Sequence, residues 1–177
     1  MIDDRALWEL ICRRDASTFE AFYRENAPRL KAYLRHVVGN TQAVEDIVQE
    51  TFAQIWQRPP IGFRPERGSL RSYLYGIGRK RAAEWWRNQG PGPRNLGFES
   101  SCAAFQRDAI PIRDAFGRLP EEQRTLLWLR EVEGQSYSEL AEILEIPAGT
   151  VKSRLFVARE QLRRIWQGAE QSRKEVV

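Results

Sequence analysis

Histidine and cysteine are close to missing from this chain of 177 residues: His36 stands alone, and Cys12 and Cys102 are its only thiols. That scarcity excludes a Cys/His zinc site of familiar spacing and leaves no basis for a metal centre. A catalytic triad would need His36 beside a nucleophile motif, and the chain contains none. Glycine-rich phosphate loops are missing as well. No catalytic residue, cofactor or small-molecule substrate is therefore implied, and the composition argues against an enzyme. The two thiols leave two readings open, incidental residues or a Cys12–Cys102 redox pair, and the first is the simpler. No apolar run approaches the ~20 residues that cross a bilayer. The start, MIDDRALWEL, is acidic and then amphipathic rather than a secretory signal. A cytoplasmic protein without direct membrane insertion is expected.

What the chain does contain is enough apolar content for a core, 42%, and a modest net charge of +4 that is unevenly placed. Residues 64–94 hold eight bases against two acids, a balance of +6, and residues 148–174 hold seven against two, giving +5. Residues 41–57 hold three acids and no base. Two basic surfaces and one acidic surface point to two nucleic-acid contacts and a protein contact of another kind.

The most informative stretch is SYSELAEILEIPAGTVKSRLFVAREQLRR at 136–164. Ser136 and Glu139 form a capping box, which starts a short helix with Leu140, Ala141 and Leu144 inward. Pro147 ends that helix and opens another. In the second helix Val151, Leu155, Ala158, Leu162 and Ile165 recur at four, three, four and three residues, one apolar stripe. Its outer face presents Thr150, Lys152, Ser153, Arg154, Phe156 and Arg159, with no acid until Glu160. This is the pattern of a helix-turn-helix, whose second helix enters the major groove with its early residues on base edges.

Upstream, residues 4–14 read as a helix with Leu7, Leu10 and Ile11 inward. Residues 17–38 read as a second, with Phe19, Phe22, Tyr23, Leu30, Tyr33, Leu34 and Val37 inward and Pro28 a point of kinking or division. A third helix at about 42–58 has apolar Val44, Ile47, Val48, Phe52, Ile55 and Trp56, and a polar remainder of Glu45, Asp46, Gln49, Glu50, Gln54 and Gln57 suited to a partner. A loop rich in Pro, Gly and Arg follows. Ser69 then caps a helix over 70–89 whose inward side is Leu70, Tyr73, Leu74 and Ile77. Tyr73, Tyr75, Trp85 and Trp86 alternate there with Arg71, Arg79, Lys80, Arg81 and Arg87. Rings beside cations suit unpaired bases, which stack on the rings while the cations follow the backbone. Spacing on the helix opposes equal burial of Trp85 and Trp86.

GPGPRNLG at 90–97 breaks the pattern and sets a boundary. The linker at 90–111 either tethers two halves or occupies a partner's groove. Residues 112–119 and 120–132 read as two more helices, with Leu126, Leu127, Leu129 and Val132 in the core. The tail after Trp166 is polar and is expected to fray. The expected fold is all-α: two small helical domains, 1–89 and 112–177, joined by a flexible linker, the second a helix-turn-helix (winged-helix-like) DNA-binding domain.

VEDIVQETFAQIW at 44–56, FRPERGSLRSYLYGIGRKRAAEWWR at 63–87, LPEEQRTLLWLREVEGQSYSELAEIL at 119–144 and IPAGTVKSRLFVAREQLR at 146–163 together resemble the extracytoplasmic-function sigma factors, the small two-domain branch of the bacterial sigma-70 family. The resemblance implies that the helix over 44–57 docks on the clamp helices of the polymerase β′ subunit through Asp46, Gln49, Glu50, Phe52 and Trp56. It implies that Phe63, Arg64, Arg67, Tyr73, Tyr75, Arg79, Lys80 and Trp85 recognise and open promoter DNA near −10. The second domain would bind the β flap and read the −35 element through Thr150, Lys152, Ser153, Arg154, Phe156 and Arg159. An anti-sigma factor is an implied further partner. Tyr73 and Lys80 stand where the family commonly has tryptophan and asparagine. Glu145 replaces a common turn glycine, which implies a different backbone geometry there, and Val157 replaces a usual arginine. The rival reading is a stand-alone helix-turn-helix regulator with an N-terminal sensor or dimerisation domain.

Overall fold

In the computed structural model, residues 3–38, 40–57, 63, 68–89 and 115–174 are described, and their regular structure is entirely helical. Arg64, Arg67 and the linker at 90–111 lie outside the described residues. With no strand among those residues, the winged-helix comparison extends only to the helices.

Helix α1 (Asp4–Cys12) buries Ile11. Helix α2 (Ala16–Val38) starts one residue before the expected Ser17. Its true cap is Asp15, whose carboxylate accepts from the Thr18 amide at 2.7 Å and the Ser17 hydroxyl at 2.8 Å. The helix runs unbroken across Pro28, so the proline does not divide it. Pro28 is on the exposed side, where the carbonyl that loses its amide partner can bond water. Tyr23, expected inward, is 40% exposed.

Helix α3 (Thr41–Gln57) is capped by Asn40, whose side-chain oxygen accepts from the Ala43 amide. It buries Val44, Ile47, Val48, Phe52 and Ile55, the anticipated stripe. Helix α4 (Leu70–Asn88) is capped as expected by Ser69, which accepts from the Ser72 amide. Helices α2, α3 and α4 pack on one another pairwise. A Cβ at Gly78 would come within 3.0 Å of Leu30 Cδ1, so glycine lets α4 lie close to α2.

In the C-terminal half a helical turn at 115–117 precedes α5 (Glu121–Leu127), which continues as one π-helical turn, Trp128–Val132. That turn accommodates one more residue than an α-turn, so side chains beyond it are rotated by about 100°. Val132, expected in the core, is consequently 51% exposed, while Trp128 is buried. Helices α6 (Tyr137–Leu144) and α7 (Ala148–Lys174) form the helix-turn-helix. The capping box is present in both directions. Leu140 and Ile143 are buried under α6, and Val151, Leu155 and Ala158 under α7. Instead of fraying after Trp166, α7 continues to Lys174.

Both halves contribute to one apolar cluster, in which Leu30, Tyr33 and Leu74 join Leu126, Trp128 and Leu140. Full burial of each such side chain stabilises by roughly 1.5–3 kcal/mol, so contact between the halves is a substantial contributor to this arrangement.

Candidate nucleic-acid and partner interfaces

A cleft of about 390 Å³ opens along α4, with Phe63, Tyr73, Lys80 and Arg81 among its walls. Phe63 packs on Trp8 at 5.1 Å and edge-on to Tyr73 at 5.9 Å, an aromatic run from three separate segments. Tyr73 is half-buried, which raises the pKa of its phenol. It therefore presents part of its ring to the cleft as a neutral group, suited to stacking. Arg79 and Lys80 follow one helical turn beyond Tyr75, with Lys80 exposed.

Tyr75 does not belong with them. Its ring is fully buried, 5.3 Å from Tyr33 in the core between α2 and α4. Two positions after Tyr73 the helix has turned by about 200°, which sends the side chain to the opposite face. Trp85 and Trp86, expected to differ in burial, are both half-buried, in edge-on contact at 4.8 Å. The Trp86 indole N–H donates to the Val37 carbonyl at 3.4 Å, which ties the end of α4 to the end of α2.

On the helix-turn-helix, Lys152, Ser153, Arg154, Phe156 and Arg159 are all exposed, Phe156 by 67%, and Thr150 is half-buried. The outward face of the sequence pattern is therefore real. It is less purely basic than α7 alone implies, because α5 and its π turn bring acids to it. Glu131 accepts from Arg159 at 2.6 and 3.1 Å, and Glu122 lies 3.7 Å from Arg154. The pair raises the pKa of Arg159, first through the hydrogen bond to Glu131, so the guanidinium stays charged. Lys152 sits 5.8 Å above the Tyr137 ring. The turn between α6 and α7 keeps the left-handed geometry usually supplied by glycine: Glu145 has φ 56° and ψ 41°. The expected change of backbone geometry is thus not found, and a side chain carries the local strain instead.

The face of α3 proposed for a partner retains Asp46, Gln49 and Glu50, all exposed. Phe52 does not contribute to it. It is 2% exposed and lies under Phe19, Phe22 and Tyr23, so its role is to hold α3 on α2. Trp56 is half-buried against Phe19 at 4.7 Å, with the Arg14 guanidinium 5.4 Å from its ring. Glu45 pairs with Lys31 and Glu50 with Arg81, so part of the acidic charge is compensated from other helices.

Sequence reasoning missed the residues at which the halves meet. Glu139, seen only as a capping-box acid, also accepts from Ser69. His36, seen only as a solitary histidine, stacks on both Phe116 and Trp128, which also touch each other. Contacts between residues as far apart as these leave no periodic signal. Among the described residues there is no cluster of ligands for a metal ion and no helix long and apolar enough to cross a membrane.

Family models described as Sigma-70 region 2 and Sigma-70, region 4 match residues 22–91 and 110–162. The chain is 31% identical over 160 residues to the ECF RNA polymerase sigma factor SigL of Mycobacterium tuberculosis, spanning 84% of this chain and 89% of SigL. It is 28% identical over 173 residues to the ECF RNA polymerase sigma factor RpoE of Cereibacter sphaeroides, with 90% and 95% coverage. Among solved structures, CnrH in complex with the cytosolic domain of CnrY superimposes with a TM-score of 0.71 at 21% identity, covering 94% of this chain and 99% of CnrH. RpoE of Bartonella quintana, in complex with the anti-sigma factor NepR, gives 0.63 at 23% identity, covering 84% and 96%.

Proposed function

Because the chain belongs to the extracytoplasmic-function sigma factors of the sigma-70 family, we propose that it binds core RNA polymerase in the cytoplasm and directs it to specific promoters. Residues 1–89 form the polymerase-binding and −10 domain, residues 112–177 the −35 domain, and residues 90–111 the tether between them. The protein performs no covalent chemistry of its own and needs no cofactor. Specificity comes from the order of contacts it imposes.

The observation that carries this reading is the pairing of two unlike nucleic-acid surfaces in one chain: an exposed helix-turn-helix face, and a cleft lined by rings and cations. The first suits duplex DNA. Thr150, Lys152, Ser153, Arg154, Phe156 and Arg159 lie on the exposed or half-exposed side of α7, where they reach base edges and phosphates. Phosphate contacts set register and base contacts set sequence preference. Phe63, Tyr73, Arg79, Lys80 and Trp85 suit a single strand, because stacking on a half-exposed ring offsets part of the stacking lost when a base leaves the duplex. Arg64 and Arg67, outside the described residues, belong to the same set by sequence. Asp46, Gln49, Glu50 and Trp56 form the polymerase-facing side of α3, opposite the β′ clamp helices, while the −35 domain meets the β flap. CnrH was solved with the cytosolic domain of CnrY and Bartonella RpoE with the anti-sigma factor NepR, and control by an anti-sigma factor is extended here to this chain.

In vitro transcription with core polymerase, with and without the protein, tests the reading. Promoter-specific initiation should appear only on addition. Symmetric operator binding by a dimer without polymerase, and no such initiation, would favour the stand-alone regulator instead.

A further inference from the structure

The two halves are fastened at both ends of α6. At its start, one carboxylate serves two helices: Glu139 accepts from the Ser136 amide at 2.9 Å and completes the capping box of α6. It also accepts from the Ser69 hydroxyl at 2.5 Å and, more weakly, from the Ser69 amide at 3.3 Å. Ser69 is the cap of α4. The N-terminal ends of α4 and α6, each with partial positive charge, thus converge on one acid. These hydrogen bonds outweigh its burial and hold the Glu139 carboxyl below its ordinary pKa, ionised at neutral pH.

At the other end of α6, the Arg79 guanidinium donates to the Ile143 carbonyl at 2.9 Å, in the last turn of the helix. Such terminal carbonyls have no partner within their own helix. Lys80 reaches the Glu145 carboxylate at 2.6 Å, and Arg79 lies 3.8 Å from it. Lys80 and Glu145 are each 58% exposed at the side chain, so this pair by itself is worth little, and the bonds act together. Glu142, Ile143 and Glu145 form the wall of the 390 Å³ cleft opposite Tyr73 and Lys80. Carboxylates therefore stand where a strand's phosphates would need to meet Arg79 and Lys80.

We propose that this arrangement is a self-masked state, in which α6 covers the single-strand cleft and Glu139 and Glu145 latch it until the halves separate. The proposal rests on the assignment of that cleft to unpaired promoter DNA. It makes Ser69–Glu139 and Lys80–Glu145 determinants of how readily the free protein engages a strand. An affinity measured on the closed chain is reduced by the fraction that is open.

The test uses the full chain with Cys12 and Cys102 replaced by serine and spin labels at Ala21→Cys on α2 and Gln167→Cys on α7. Distances between the labels are read by double electron–electron resonance. Affinity for a short fluorescein-labelled single-stranded oligodeoxynucleotide is read by anisotropy. The variant is Glu139→Gln with Glu145→Gln, since glutamine keeps the capping box, and circular dichroism checks that helix content is retained. Glu142→Gln is the control, removing one carboxylate charge from the cleft wall, as Glu145→Gln does, without touching the bonds to Ser69, Arg79 or Lys80. A narrow distance distribution in the parent, broadened in the variant together with about ten-fold tighter strand binding, is the expected result, the gain when an open fraction of about one tenth becomes predominant. The control should keep the parent's distances and affinity within about two-fold, well under the 1.4 kcal/mol of a decade. A parent that is already broad overturns the latch. Opening without a gain in affinity, or an equal gain in Glu142→Gln, overturns the masking. Transcription with core polymerase is scored separately: its absence, with opening and strand gain intact, counts against the promoter-directing role and supports the latch.

Discussion

The imidazole of His36 and the indole of Trp128 stack with ring centroids 5.1 Å apart and planes 22° from parallel. Phe116 also stacks on it at 5.0 Å and lies 6.5 Å from Trp128, so the three rings form one cluster. One residue of α2 is thereby clasped by two rings of the C-terminal half. A protonated imidazole would gain from the ring faces, but burial opposes its charge and so does nearby Arg124. The balance lowers its pKa to about 4, burial being the larger cause.

The sign of the resulting pH dependence follows. The folded state favours neutral His36, so its contribution is complete above an unfolded pKa of about 6.5 and is lost as pH falls from there towards about 4. The full shift is worth at most about 3 kcal/mol. His36→Phe keeps a ring in the clasp and cannot titrate. The stability of the parent should therefore fall relative to His36→Phe between about pH 7 and about pH 4.5 in urea titrations. Parallel pH profiles would remove His36 as the cause.

Tyr73 and Tyr75 should separate cleanly. Tyr75→Ala should cost roughly 3–5 kcal/mol of stability, as a buried aromatic does, and should impair every activity together. Tyr75→Phe should leave strand binding unchanged. Tyr73→Ala should weaken strand binding by about 1–3 kcal/mol with a much smaller stability loss, measured by fluorescence anisotropy and urea denaturation.

The cations of α7 offer a second contrast. Arg154→Ala should weaken −35 duplex binding by roughly 1–3 kcal/mol if the side chain reads a base. Glu131→Gln should act oppositely, freeing Arg159 for phosphate. It should tighten duplex binding a few-fold and steepen its salt dependence by up to about one phosphate contact. The pair is exposed enough for stability to change by less than about 1 kcal/mol. Mobility-shift titrations at several salt concentrations measure both effects.

On α3, Asp46→Arg should lower affinity for core polymerase without altering duplex binding by the full chain. Phe52→Ala should instead lower both by unfolding, at a cost of roughly 3–5 kcal/mol. Equal loss of polymerase and DNA binding in folded Asp46→Arg would refute the division of labour. Co-elution with core enzyme, with duplex titration alongside, decides it.

Much of this protein was legible because the relevant signals are local. Ser69 and Ser136 cap the helices they were assigned to, and the stripe from Val151 to Ala158 is buried as its spacing required. The outward face of α7 is exposed for the same reason. Errors arose where helical phase or long-range contact decided. The π turn sent Val132 outward, and the phase of α4 put Tyr75 in the core. The stripe on α3 marks Phe52 as apolar, and its burial takes it out of the polymerase face that the resemblance implies.

The sequence by itself determined where helices begin, which side of each is apolar and how charge is divided among segments, since capping and periodicity act within a few residues. Only the tertiary structure decided that Glu139 would bond the caps of two helices, Ser69 and Ser136, that Glu131 would meet Arg159 and that His36 would stack on Phe116 and Trp128. Those contacts depend on the relative phase and packing of helices far apart in the chain, which no short stretch encodes.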